Sequence, residues 1–499
     1  MDRTLNATVP PWLISPGRVG FNTAMLTRWR MEYVAAAGGA VAAGLVFLVA
    51  HTALPDDAYI TLSYARNLAE VGRWGMLADR PSNTATSPLN VWLLAAGTLV
   101  TGRPVLAVGL VLVACLGLVG WWSARLARDL DLSPVLPATL VGLLVTSPLL
   151  VSTIGLETYL GVTALVGVAR YAVAGRPLAT GVLCGLAVLT RPDLTVPAGV
   201  LVLGLVAWRR WAVVAVVGAA VALPWHLFAW YRLGGFLPDT VWFKAGDHWG
   251  PYTFTNGWVL YARAVPAPTV LALLPAVAGL LAVGWWLLSR YRHPARRLAL
   301  VFALAGVTQW AAFAALGTAP YPWYLAPSVV CVTVTAAVTA AALRWRRAAA
   351  GMVGAVLVGC AVFLGSWHWQ WGPLNANFGT ARQYAAIGRG VAAITGGEEV
   401  LVRYEVGTPA FFCRCPMVEW FGDRALTDQL IAGRVASAGP MLGVLMRWNF
   451  AHRTPTPTPR PRWLLEAGKP AAAVASWPVG GMVDRPLTWV SLTPIVQSE

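Results

Sequence analysis

The chain has 499 residues, of which 57% are hydrophobic and only 12% charged, and its mean hydropathy is +0.62. Apolar runs recur from residue 31 to residue 366, the pattern of a polytopic membrane protein and not of a soluble globular one. The formal charge of +16 does not indicate nucleic acid, because the basic residues fall in short clusters between apolar runs, as cytoplasmic loops do under the positive-inside rule.

In chain order, residues 1–30 read as a cytoplasmic N-terminal segment, and the first apolar run is an uncleaved anchor because it exceeds the roughly 7–15 residues of a signal-peptide core. Spans are predicted at 33–54, 105–124, 134–152, 158–174, 178–190, 193–208, 211–233, 267–288, 298–316, 325–343 and 349–366. One further apolar stretch, 88–101, decides the topology. If it lies on the outer surface, Arg125/Arg128, Arg170/Arg176, Arg209/Arg210, the run "SRYRHPARR" and "RWRR" all face the cytoplasm, so this arrangement is preferred. The first outer loop then carries two surface helices. One begins at Asp56 and Asp57, either of which suits an N-cap, with Ile60, Tyr64, Leu68 and Val71 on one face and Ser63, Arg66, Asn67 and Glu70 on another. The next has Ser87 as N-cap and Pro88 at its first position.

Beyond residue 366 come Trp367, Trp369 and Trp371 at an interface, then a small mixed α/β region with a strand in "EEVLVRY", a helix at 424–436 and a Pro-rich loop "TPTPTPRPR". The predicted domains are therefore 1–30, a membrane domain at 31–366 and an extracytoplasmic domain at 367–499. Cys115, Cys184, Cys331 and Cys360 read as buried hydrophobes. Cys413 and Cys415 lie in the outer region, where oxidation is open to them, and their surroundings lack zinc-ligand spacing. His51 and His226 read as packed side chains. No internal repeat is visible.

The acidic residues carry the functional signal. Of those from Asp56 to Asp247, the topology puts Asp56, Asp57, Glu70, Asp79, Glu157, Asp193, Asp239 and Asp247 outside and only Asp129 and Asp131 inside, and none occurs from 248 to 397. A charge at membrane depth costs several kcal/mol unless solvated or paired, so this grouping implies a wet outer cavity. Four segments reach it: "PDDAY", "STIGLETYL" with Glu157, "LTRPDLT" with Arg191 and Asp193, and "LPDTVWFKAGDHW" with Asp239 and Lys244. Arg191, Lys244, Arg232 and Arg263 oppose the positive-inside trend there and are candidates to hold an anionic phosphate. The aromatics of "APYPWYLAPS", Tyr324 among them, either form an interfacial belt or line a sugar or lipid site.

"DDAYITLSYARNLAEVGRWGML", "TATSPLNVWLLA", "GLETYL", "LTRPD", "LPDTVWFKAG" and "YEVGTPAFFCRCPMVEWFGD", in this order, resemble the GT-C superfamily of polytopic glycosyltransferases. The resemblance is closest to actinobacterial arabinofuranosyltransferase-like proteins, with aminoarabinose transferases and protein O-mannosyltransferases more distant. It covers nearly the whole chain and implies an all-α GT-C-type membrane domain with a small α/β tail. It also implies a polyprenyl-phosphate sugar donor, a cell-envelope glycan or lipid acceptor, inversion at the anomeric carbon, and an acidic base in the first outer loop, here Asp56 with Asp57 supporting. Monophosphate donors in this superfamily need no metal, so none is expected, with Glu157 the residue that leaves a divalent cation open. The tail departs from the usual "GEIG" pattern at Tyr404-Glu405-Val406-Gly407, which leaves the role of Glu405 open. Arabinofuranose and mannose are the expected sugars. The alternatives are a transporter or flippase of a lipid-linked substrate, and a catalytically silent assembly partner.

Overall fold

In the computed structural model, the structure describes residues 23–343, 346–375, 377–420, 422–480 and 487–495. The predicted N-terminal segment before residue 23, and Arg344, lie outside them. Each predicted span contains a helix: α1 (Thr23–Ala50), α4 (Pro104–Asp129), α5 (Leu136–Val145), α7 (Thr158–Val173), α8 (Pro177–Thr190), α9 (Thr195–Leu205), α10 (Trp211–Phe228), α13 (Pro266–Leu288), α14 (Ala295–Leu316), α15 (Pro322–Ala342) and α16 (Arg346–Ser366). Among the described residues, six helices are long and apolar enough to cross a membrane: α1, α4, α10 with its continuation to Leu233, α13, α14 and α15. The helices α5, α7, α8 and α9 are apolar but shorter. The predicted span 134–152 is broken in two, because Pro148 cannot continue α5; a one-turn helix, α6 (Pro148–Val151), starts afresh with Ser147 as its N-cap.

Small residues let α1 and α4 approach closely. A side chain at Gly39 of α1 would strike the Leu116 backbone, and one at Gly120 of α4 would strike that of Ala35, so the two helices touch main chain to main chain.

The ends of the bundle differ in chemistry. At one end Glu32, at the start of α1, pairs with Arg125 and Arg128, and Arg170 pairs with Asp129. At the other end the first loop carries α2 (Asp56–Val71) and α3 (Pro88–Thr101). Ser87 stands before α3 but its side chain makes no capping bond, whereas Pro88 occupies the first turn as expected. The helix α2 starts after Pro55, so neither aspartate is its N-cap. Most of its polar face is not open to water: Ser63, Arg66 and Asn67 are buried, Arg66 donating to the Phe411 carbonyl at 2.7 Å and Asn67 to the Gly75 and Met76 carbonyls, while Glu70 stays exposed. The periodicity of α2 located its two faces, but most of the polar one meets protein.

The short helices α11 (Asp239–Phe243) and α12 (Gly257–Ala264) cover the same end. The tail contains α17 (Ala381–Thr395), α18 (Gly407–Cys413), α19 (Arg424–Ser437) and α20 (Pro440–Asn449) around β1 (Val400–Arg403), β2 (Met417–Val418), β3 (Trp463–Ala467), β4 (Ala475–Val479) and β5 (Thr488–Pro494). The sheet order is β2-β1-β3-β5-β4, parallel through β2, β1 and β3 and antiparallel thereafter. Tyr384, Ile387 and Val391 of α17 pack with Val400, Val402, Leu465 and Leu492 of the sheet, and the same core continues through Cys413 and Cys415 to Tyr64 and Trp74 of the first loop. Cys413 and Cys415 are joined by a disulfide.

Candidate active site

Asp56 and Asp57 are adjacent in the first turn of α2 and point to different partners. Asp56 is buried, and its carboxylate accepts from the Thr408 N–H at 2.6 Å and the Gly407 N–H at 2.8 Å, the opening residues of α18. It therefore caps a helix, but one 351 residues away in sequence, where the exposed N–H groups and helix dipole favour a negative charge. Gly407 is required: a Cβ there would collide with the Asp56 backbone. The Asp56 N–H donates to Asn377 Oδ1 at 3.2 Å, and Asn377 Nδ2 donates to Glu405 at 3.0 Å, so one amide ties both acids together. Glu405 also accepts from the Phe378 N–H at 3.1 Å. Burial pushes the Asp56 carboxyl up to about 6, against the pull of its backbone donors and with help from the Asp57 charge. Burial, and then the Asp56 charge, raise Glu405 well above the ordinary carboxylate range.

Asp57 faces the bundle. Its carboxylate lies 3.5 Å from Lys244 Nζ, and its side chain keeps 31% of its exposure. Lys244 sits over the Tyr321 ring at 4.6 Å, with Trp323 and Tyr324 at 5.8 and 5.9 Å. Burial opposes its charge, but the Tyr324 and Asp57 electrostatics outweigh this and hold its pKa above the ordinary lysine value. Next to this cage Arg191 grips Asp193 through two bonds of 2.8 Å, donates to the Trp323 carbonyl at 2.7 Å and lies 3.5 Å from Glu157. Gln309 adds a 2.7 Å bond to Asp193. Arg191 thus fixes the aromatic loop on which Lys244 rests.

Of the residues proposed from sequence, Asp56, Asp57, Lys244, Arg191, Glu157, Asp193, Tyr324 and Glu405 stand at one end of the bundle in this chain of contacts. The others do not join it. Asp239 is buried in an ion pair with Arg453, with bonds of 3.0 Å to each oxygen, and Arg453 also bonds Asp428 and Thr427, so this group fastens α11 to α19. Arg232 is exposed beyond α10, and Arg263 is exposed on α12 with a 3.3 Å bond to the Tyr252 hydroxyl; among the described residues neither contributes an ion pair here. His226 is packed as expected, stacked on Phe236 and bonded to its carbonyl. Sequence reasoning missed Asn377, the Gly407–Thr408 amides, and Tyr321 and Trp323 as the seat of Lys244. The amides leave no side-chain signal, but the aromatic cluster did. Among the described residues no group of His, Cys, Asp and Glu has metal-site geometry.

No family model and no curated protein sequence matches the chain. Solved structures do. ArnT from Cupriavidus metallidurans in the apo state matches over 94% of this chain and 98% of its own, with a TM-score of 0.57 and 16% identity. The same protein bound to undecaprenyl phosphate matches over 95% and 98%, with a TM-score of 0.54 and 15% identity. The mycobacterial arabinofuranosyltransferase AftD matches over 91% of this chain but 40% of its own length, at 15% identity and a TM-score of 0.45. With 94% of this chain and 98% of ArnT matched, the two share a fold from the first membrane helix into the tail.

Proposed function

We propose that the protein is an inverting membrane glycosyltransferase that moves a sugar, arabinofuranose or mannose, from a polyprenyl-phosphate donor to a cell-envelope acceptor outside the cytoplasm. The observation that carries this reading is the juxtaposition of a buried carboxylate, Asp56, with the adjacent Asp57–Lys244 pair at one mouth of a GT-C bundle. Undecaprenyl phosphate bound to ArnT supports a lipid-phosphate donor.

In the proposed reaction the acceptor hydroxyl oxygen bonds to the anomeric carbon as its proton passes to Asp56. The bond from that carbon to the phosphate oxygen breaks, and polyprenyl phosphate leaves with the electron pair. A carboxyl near pH 6 suits this duty, since a base is most effective when its pKa lies close to the working pH, and positioned bases contribute about 10²–10⁴ in rate. Lys244 meets the charge that grows on the departing phosphate, held in place by Asp57 and its aromatic cage. Arg191 has its nitrogens engaged by Asp193 and the Trp323 carbonyl and serves to position that cage. An apolar groove of about 730 Å³ between α8, α9 and α10 runs up to Phe236 and Leu237, the loop leading to Asp239 and Lys244. It gives the prenyl chain a seat open to the bilayer. The domain division at residues 30 and 366, with the N-terminus cytoplasmic and the tail outside, belongs to the same proposal.

The greater exposure of Asp57 favours a second assignment, in which it takes the proton and Asp56 only anchors the tail. Transfer assays in nanodiscs with polyprenyl-phosphate arabinofuranose and mannose separate the two. If Asp56 is the base, Asp56→Asn loses transfer by about 10²-fold or more while Asp57→Asn mainly raises the donor KM; the reverse pattern exchanges the roles. Full activity in both variants defeats the reading.

A further inference from the structure

Beyond the acid pair, a concavity of about 480 Å³ opens between the end of α1, the loop after α16 and the start of α17. Thr52, His368, Trp369, Gln370, Arg382 and Gln383 line it. None of these is acidic or aliphatic; they are hydrogen-bonding groups around an aromatic ring. The side chains of Gln370 and Arg382 are exposed and, among the described residues, make no hydrogen bond or ion pair of their own. Gln383 engages its amide oxygen with the Thr380 N–H at 3.0 Å, which fixes the side chain and leaves its amide N–H donors available.

The aromatic wall is held in advance. Trp369 has φ +45, a left-handed backbone that is unfavourable for a non-glycine residue and persists only where its surroundings impose it. Thr52 donates to its carbonyl at 3.3 Å, and its indole N–H donates to the Leu364 carbonyl at 3.1 Å. Trp367 donates in turn to the Trp371 carbonyl at 2.8 Å. A tryptophan kept in this conformation beside unpartnered amide and guanidinium groups offers a flat apolar face with donors around it, in a volume within the roughly 300–1,000 Å³ of ligand sites.

The position gives it a role. Thr52 lies four residues before Asp56, and Thr380 three residues after Asn377, the amide that ties Asp56 to Glu405. Thr52 and Thr380 both line the concavity, which therefore lies a few residues along the chain from Asp56 and from Asn377, while Lys244 pairs with Asp57. We infer that this concavity is the acceptor subsite, which takes a neutral oligosaccharide chain against Trp369 and directs its terminal hydroxyl toward Asp56. This rests on the transferase reading and adds the site and chemical class of the acceptor.

The test uses the full-length protein in nanodiscs, titrated with an α-linked arabinofuranose tetramer and an α-linked mannose tetramer, with binding read by saturation-transfer NMR. The wild type and Asp56→Asn should bind one of the tetramers. The surface double variant Gln370→Ala/Arg382→Ala and the single variant Trp369→Leu should each weaken binding and raise the acceptor KM about tenfold, equivalent to about 1.4 kcal/mol, with the donor KM unmoved. Tail folding is checked by its resistance to chymotrypsin in the same nanodiscs. Failure of both tetramers to bind the wild type, or unchanged binding and acceptor KM in both variants, overturns the subsite and marks the tryptophans as membrane anchors only. Glycan binding without transfer from either donor overturns the reaction and leaves the subsite standing.

Discussion

Asp56 joins two ends of the chain through one carboxylate, so its chemistry and its structural duty are coupled. With its carboxyl raised to about 6, Asp56 ionises as pH rises through that value, so in the proposed reaction kcat/KM should climb between pH 5 and 7 to a plateau, with an apparent pKa of about 6. A pH–rate profile with either donor checks this; a flat profile across that range removes Asp56 as the base. The same shift acts on stability with the opposite sign. A folded-state pKa above the unfolded carboxylate value means that the native state binds the extra proton, so the contribution of this group is full below about pH 4 and lost as pH rises through about 6. Thermal unfolding in detergent between pH 4 and 6 should show the decline, and Asp56→Asn should lessen it, the raised Asp239 and Glu405 carboxyls contributing the rest. Lys244→Ala should lower kcat/KM for the donor by about 10²-fold, with Lys244→Arg recovering only part, because a planar guanidinium does not fit the cage that a compact ammonium fills.

Elements, more than single residues, decide how the mouth of the bundle is assembled. The Asp239–Arg453 pair fastens α11 to the tail, and removal of one partner leaves the other charge buried. Arg453→Ala should destabilise the tail by about 3–5 kcal/mol, with Asp239→Asn/Arg453→Met losing less; chymotrypsin resistance of the tail in nanodiscs reports it. What the sequence made legible belongs mostly to this scale. Apolar periodicity located a helix in every predicted span, six of them long and apolar enough to cross a membrane among the described residues, and the helix expected at 424–436 appears at Arg424–Ser437. Helix propensity and length did not reveal the break at Pro148, because an apolar run of span length conceals a local stop. Asp239 and Arg453 were misplaced or missed for a different reason: an acid in an outer loop reads the same whether it faces a cavity or a buried arginine 214 residues later. Long-range pairing of this kind has no local signature.

For the molecule as a whole, the two ends of the bundle make distinct demands on their surroundings. The arginine end carries Arg125, Arg128, Arg170 and the exposed loop around Arg292, while the acidic end carries the tail. A cysteine replacing exposed Lys469 should react with a membrane-impermeant maleimide in intact cells, and one replacing Arg292 only after lysis. The reverse labelling would invert the proposed orientation and place the acid pair in the cytoplasm.

The helix that holds Asp56 is pinned at its far end by the Cys413–Cys415 bridge, and both lie in the last quarter of the chain. Biogenesis is therefore ordered: a nascent chain can thread every span into the bilayer while its first-loop acid still lacks a cradle. In the proposed orientation the cradle is completed late, once the last quarter of the chain reaches an oxidising compartment and closes over the opening loop. On the proposed function, a polypeptide stalled before that moment would be inserted but inert.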